Sequence, residues 1–112
     1  MKRSEIWQIN LDPTTGAEIK KTRPVVIIND DSMGTLPLRV ILPLTDWENH
    51  YAVSPWMVKI EPDEHNNISK ISSIDCFQIR SVSTTRFIRN IGEVDTAILA
   101  AIENAISLVL KL

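Results

Sequence analysis

What constrains this chain most is the order of its patterns: strand-like periods come first, and the only helix-length segment comes last. With no helix between strands there is no crossover to join parallel neighbours, so the sheet is expected to be antiparallel. Trp7, Ile9 and Leu11 alternate with Gln8 and Asn10, the period of a half-buried strand over 5–11. Pro24-Val25-Val26-Ile27-Ile28 is a continuous β-branched run, the mark of a strand buried on both faces. Leu38–Leu44 reads as a third strand whose Pro43 implies an edge or a bulge. Val53–Ile60 reads as a fourth, Ile71–Val82 as a fifth and Phe87–Ile91 as a short sixth, with a helical turn at Ser83–Arg86. Asp95 is a good N-cap. Beyond it Ile98, Leu99, Ile102, Ala105, Ile106, Val109 and Leu110 recur at helical spacing, with Leu108 off the stripe. The expected class is mainly β: a small, bent antiparallel sheet or barrel of five to six strands, covered by a C-terminal helix.

A length of 112 residues leaves room for one domain, 1–112, around one core. Cys76 is the only cysteine, so no internal disulfide forms, and a lone thiol in an apolar run is expected to be a buried hydrophobe. Met1-Lys2-Arg3-Ser4-Glu5 does not read as a signal peptide, and no run approaches the roughly 18 apolar residues of a membrane span. The expected compartment is the cytoplasm. The net charge of −2 does not announce a nucleic-acid binder. Cations nevertheless cluster locally: Lys20, Lys21 and Arg23 in one place, Arg80, Arg86 and Arg89 in another. A polyanion would therefore be held in a local groove.

Most chemistry-bearing motifs are absent. Three glycines build no phosphate-cradling loop, and no nucleophile elbow occurs. His50 and His65 lie in separate polar turns without metal-ligand spacing, so neither a metal nor a cofactor is expected. What remains is position. Arg23 stands immediately before the proline that opens the buried strand, and that proline restrains it to an extended backbone. A guanidinium mounted this way suits phosphate recognition, because it offers paired donors and stays charged. The competing role is an ion pair with Glu18 or Asp75. Thr45, at the end of the third strand, is either a turn cap or a ligand-binding hydroxyl.

Those positions belong to a longer ordered set. Glu5-Ile6-Trp7, Leu11-Asp12-Pro13, Gly16-x-Glu18, Thr22-Arg23-Pro24-Val25-Val26, Leu42-Pro43-Leu44-Thr45, Gln78-Ile79-Arg80-Ser81-Val82, Arg86-Phe87 and Ile91-Gly92 together resemble the MazF/PemK family of toxin endoribonucleases. The resemblance runs over nearly the whole chain. It implies an SH3-like barrel, a homodimer, and cofactor- and metal-independent cleavage of single-stranded RNA to 2′,3′-cyclic phosphate and 5′-hydroxyl ends. It also implies neutralisation by an antitoxin whose disordered segment fills the RNA groove. Carried over residue by residue, it makes Arg23 and Thr45 catalytic and Glu18, Lys20, Lys21, Ser72, Gln78 and Arg80 RNA-binding. The chain departs from the plasmid-borne branch, where Phe77 replaces an aspartate, Asp75 an arginine, and a loop histidine falls near Ala17. The proton-transfer groups are thus left open. Cleavage specificity is expected from loops 12–22 and 46–52. Two other readings accompany this one: a gyrase poison of the CcdB kind, and an RNA- or antitoxin-binding relative with impaired catalysis.

Overall fold

The computed structural model describes residues 1–112. Its strands are β1 (Glu5–Asn10), β2 (Thr22–Ile27), β3 (Leu38–Asp46), β4 (Met57–Ile60), β5 (Ser72–Asp75), β6 (Arg80–Ser83) and β7 (Phe87–Glu93). The helix α1 (Thr96–Leu110) follows. The sheet runs β4-β5-β3-β2-β1-β7, with β6 also pairing β3, and all pairings are antiparallel. The expected small barrel is met as a mainly β, seven-stranded antiparallel sheet with a terminal helix. Its strand path ends on β4 and β7 without closing.

The extra strand arises where one long strand was expected over Ile71–Val82. The register along β3 breaks there: Leu44 faces Ile74, yet Ile41 faces Arg80 rather than the residue an unbroken ladder would supply. The break lies opposite Leu42 and Pro43. A proline has no N–H to donate, which removes a rung, and Cys76–Ile79 leave the ladder as a turn. Pro43 therefore marks an interruption beside a central strand, not an edge. The fourth strand also begins later than expected, because Asn49–Val53 form a 3-10 turn. The helical turn forecast at Ser83–Arg86 is present as a 3-10 turn over Thr84–Arg86.

β2 is buried on both faces, as its β-branched run requires. Val26 joins Ile6, Leu42, Leu44, Ile74 and Cys76 in a core that includes Ile102 and Ala105 of α1. Val25 and Ile27 join Ile9, Leu11, Ile41 and Val82 on the other face. Asp95 caps α1 by accepting a hydrogen bond from the Ile98 amide at 2.8 Å. Leu110, placed on the apolar stripe by its spacing, is in fact exposed. Val109, one residue earlier on the stripe, is still half-buried. No helix is long and apolar enough to cross a membrane.

Candidate functional site, a cationic groove

Register fixes the centre of the site. β2 and β3 pair Val25 with Pro43 and Val26 with Leu42. Continuing that register by two residues sets Arg23 opposite Thr45. On the far side of β2, Arg23 pairs with Ile9, and on the far side of β3, Thr45 pairs with Ser73. Two residues 22 positions apart in the sequence thus come to line one groove. Pro24 fixes the approach of β2 to this point.

A groove of about 470 Å³ opens here. Its walls include Arg23, Thr45, Lys21, Ser72, Asp46, Lys70 and Arg89. Four cations (Lys21, Arg23, Lys70 and Arg89) face one carboxylate, Asp46, in this lining. A protein of net charge −2 therefore presents a local positive groove, which concentrates field where a phosphodiester would lie.

Arg23 is half-buried, and its Nε donates to the Lys20 carbonyl at 3.4 Å. Its terminal nitrogens make no bond within the protein, and it pairs with neither Glu18 nor Asp75. The ion-pair alternative is thus not what the structure contains. Glu18 instead accepts from the Thr15 amide at 3.0 Å, and Asp75 is buried and accepts from the Phe77 amide at 3.0 Å. The Thr45 hydroxyl is also unengaged. Ser72 is buried, and its Oγ donates to the Lys70 carbonyl at 2.9 Å, holding the segment that carries Lys70.

The remaining sequence-selected residues lie elsewhere. Glu18, Gln78 and Arg80 line a second, more apolar pocket of about 340 Å³ with Leu11, Ile19, Pro43 and Phe77. Gln78 Oε1 accepts from the Ile19 amide at 2.7 Å, and Arg80 Nη1 donates to the Leu11 carbonyl at 2.8 Å. Both side chains anchor the 11–21 loop. Lys20 lines neither hollow, and its carbonyl serves Arg23. Phe77 is 64% exposed and packs edge-on to Trp56.

Sequence reasoning missed Asp46, Lys70 and Arg89. Asp46 falls at the edge of the 46–52 loop, and its adjacency to Thr45 is the signal that could have found it. Its Oδ1 lies 2.8 Å from Lys70 Nζ. The hydrogen bond from Lys70, aided by the charges of Lys70 and Arg23 and opposed by slight burial, holds the Asp46 carboxyl below its ordinary value. Arg89 was grouped with Arg80 and Arg86, but β7 pairs it with Gln8 and so with the groove. Lys70 reaches the site through a turn built on Asn66. That buried amide accepts from the Asp63 and Ile68 amides at 3.0 and 3.1 Å and donates to the Glu61 carbonyl at 2.8 Å. No three His, Cys, Asp or Glu side chains converge as a metal cluster. Cys76 is buried, and that burial pushes its thiol up to about 12.

An antiparallel sheet capped by a terminal helix, with a cationic groove and a free guanidinium beside a free hydroxyl, defines a class: small β proteins equipped to hold a phosphodiester. Residues 2–110 match the family described as PemK-like, MazF-like toxin of type II toxin-antitoxin system. The chain belongs to that family of toxin endoribonucleases. It is 34% identical over 122 residues to endoribonuclease MazF9 of Mycobacterium tuberculosis, covering 100% of this chain and 98% of that one. It is 29% identical to endoribonuclease MazF of Staphylococcus saprophyticus, covering 100% and 92%. Its fold matches MazF from Deinococcus radiodurans with a TM-score of 0.82 at 18% identity, covering 100% and 97%. It also matches a mycobacterial endoribonuclease in complex with its cognate antitoxin, with a TM-score of 0.79 at 17% identity, covering 100% and 96%.

Proposed function

We propose that this chain, one toxin domain over 1–112, cuts single-stranded RNA in the cytoplasm without ribosome or metal. Cleavage falls at a short preferred sequence and leaves 2′,3′-cyclic phosphate and 5′-hydroxyl ends. The reading rests on one observation above the others: Arg23 and Thr45 line one groove, whose charged lining is four cations to one carboxylate. Arg23 stabilises charge on the phosphorane, and its free terminal nitrogens suit that task. Thr45 positions the 2′-hydroxyl or a phosphate oxygen. Lys21 and Ser72 share the groove and complete the phosphate track. Glu18, Lys20, Gln78 and Arg80 act on RNA through the loop they hold or flank.

The working unit is a homodimer, which extends so short a groove along the RNA. Its regulator is an antitoxin whose disordered segment occupies the same groove. The solved mycobacterial endoribonuclease that matches this fold carries its cognate antitoxin, which supports that pairing. The catalytically impaired relative stays as a second reading for a specific reason. Asp75 is committed to the Phe77 amide, so it does not replace the missing acidic group at Phe77.

One assay decides between them. Purified protein is incubated with a long single-stranded RNA and EDTA, and the ends of any fragments are mapped. Defined cuts with cyclic-phosphate ends, lost in Arg23→Ala, are expected. A folded protein that leaves RNA intact rejects the ribonuclease; growth arrest on expression would then point to a protein target such as gyrase.

A further inference from the structure

Cleavage to a cyclic phosphate needs an acceptor for the 2′-hydroxyl proton and a donor for the departing 5′-oxygen. Arg23 supplies neither, because a guanidinium stays protonated. Besides its two arginines, the groove holds only three ionisable side chains: Lys21, Asp46 and Lys70. Asp46 is its sole carboxylate and follows Thr45 directly in β3. Asp46 and Lys70 sit 2.8 Å apart with 59% and 64% of their side chains exposed. A pair so exposed contributes little to stability, and both groups are open to whatever enters the groove.

The geometry points to the Asp46–Lys70 ion pair as the acid–base couple of RNA cleavage: Asp46 takes the 2′-hydroxyl proton and Lys70 protonates the leaving 5′-oxygen. The assignment rests on the ribonuclease reading above. As the 2′-O–H bond breaks, its electron pair forms the new bond to phosphorus. The P–O5′ bond breaks with its electrons on O5′, which receives a proton from the Lys70 ammonium. The products are the 2′,3′-cyclic phosphate and the 5′-hydroxyl, with no water consumed. The proton on Asp46 then passes across the 2.8 Å contact to the neutral Lys70 amine, restoring the pair. A carboxyl held low by Lys70 and Arg23 is a weak base, but it is ionised throughout the neutral range. Arg23 keeps its separate task on the phosphorane.

The test uses the full chain, EDTA, and two versions of one RNA: the natural phosphodiester and a 5′-bridging phosphorothiolate, whose sulfur leaves without needing a proton. Asp46→Asn is expected to cut both substrates about 100-fold more slowly or worse. Lys70→Met should be slowed comparably on the natural RNA, yet come within about tenfold of the parent on the sulfur substrate. The exchange Asp46→Lys with Lys70→Asp retains an ion pair but misplaces both functions, and should stay as slow as Asp46→Asn. Equal losses for Lys70→Met on both substrates, or recovery in the exchange variant, would show the pair to be structural and overturn the assignment. So would a parental rate in Asp46→Asn. If the parent protein cuts neither RNA, the ribonuclease reading itself falls and takes the couple with it.

Discussion

In the groove, Arg23 gives its Nε to the Lys20 carbonyl and keeps its terminal nitrogens free. In the neighbouring pocket, Arg80 gives Nη1 to the Leu11 carbonyl, and Gln78 holds the loop through the Ile19 amide. Pro43 lines the pocket, and Thr45, two residues along β3 on the same face, lines the groove. Each guanidinium gives one nitrogen to a backbone carbonyl: Arg80 commits a terminal nitrogen in a part-buried bond of 2.8 Å, whereas Arg23 gives only Nε at 3.4 Å and leaves its forked end for a substrate. The difference separates the residue proposed to do chemistry from one that holds the walls around it, although the sequence presents both as arginines near strand ends.

The sharpest way to break this contrast is to remove one residue from each side. Arg23→Ala should lower RNA cleavage by about 100- to 1000-fold, the usual worth of a donor aimed at developing charge. Its unfolding midpoint should stay close to the parent's, since the loss inside the protein is one long hydrogen bond. Single-turnover cleavage beside a denaturation curve checks both halves. A large stability loss with Arg23→Ala would make it a structural residue like Arg80.

The groove has its own hidden support, and Gly92 exposes it. A Cβ at Gly92 would lie 2.3 Å from the His65 carbonyl oxygen and 2.7 Å from that of Asn66. Backbone rather than a flexible side chain is in the way, so β7 or the Asn66 turn must move. Gly92→Ala is expected to cost about 3 kcal/mol, the upper end of overpacking penalties. It should also impair cleavage, because the turn carrying Lys70 moves with Asn66. Chemical denaturation with a parallel activity assay measures it.

How much of this was legible beforehand follows from the kind of signal. The buried β2 run, the Asp95 cap and the antiparallel class were readable because they are local patterns. Arg23 and Thr45 were singled out by position, but their opposition depends on the register of β2 with β3, which no single segment encodes. The split of the expected Ile71–Val82 strand is a consequence of Pro43 in its partner, about thirty residues upstream. Asp46, Lys70 and Arg89 went unrecognised because charged residues in turns carry no period. Only the fold shows which of them converge.

Arg80→Ala sharpens the pocket side. It removes a hydrogen bond from a charged donor to the Leu11 carbonyl at 2.8 Å, worth about 1.5 kcal/mol where part-buried. The loop over 12–21 should become more mobile, visible as faster amide exchange at Ile19 and Lys21. Cleavage should fall less than in Arg23→Ala, with the change mainly in KM and sequence preference. An equal loss in kcat would move Arg80 into the chemistry and erase the contrast.

The smallest expected effect is a pH dependence confined to the groove side. Asp63 accepts hydrogen bonds from the Asn66 and His65 amides at 2.7 and 2.8 Å. These two bonds, Asn66 foremost, lower its carboxyl below the ordinary value of 3.8, with a further contribution from His65. A depressed folded-state pKa gives stability that is complete above the unfolded value and is lost as pH falls through the folded one. The Asn66 turn should therefore loosen below about pH 4, while the Arg80 and Gln78 hydrogen bonds keep the pocket loop in place. Amide exchange followed from pH 6 to pH 3 should show His65, Asn66 and Ile68 losing protection before Ile19. Asp63→Asn should remove that acid-dependent step from the turn. Simultaneous loss in both regions would mean that groove and pocket open as one unit, and that the division drawn from their hydrogen bonds does not extend to their dynamics.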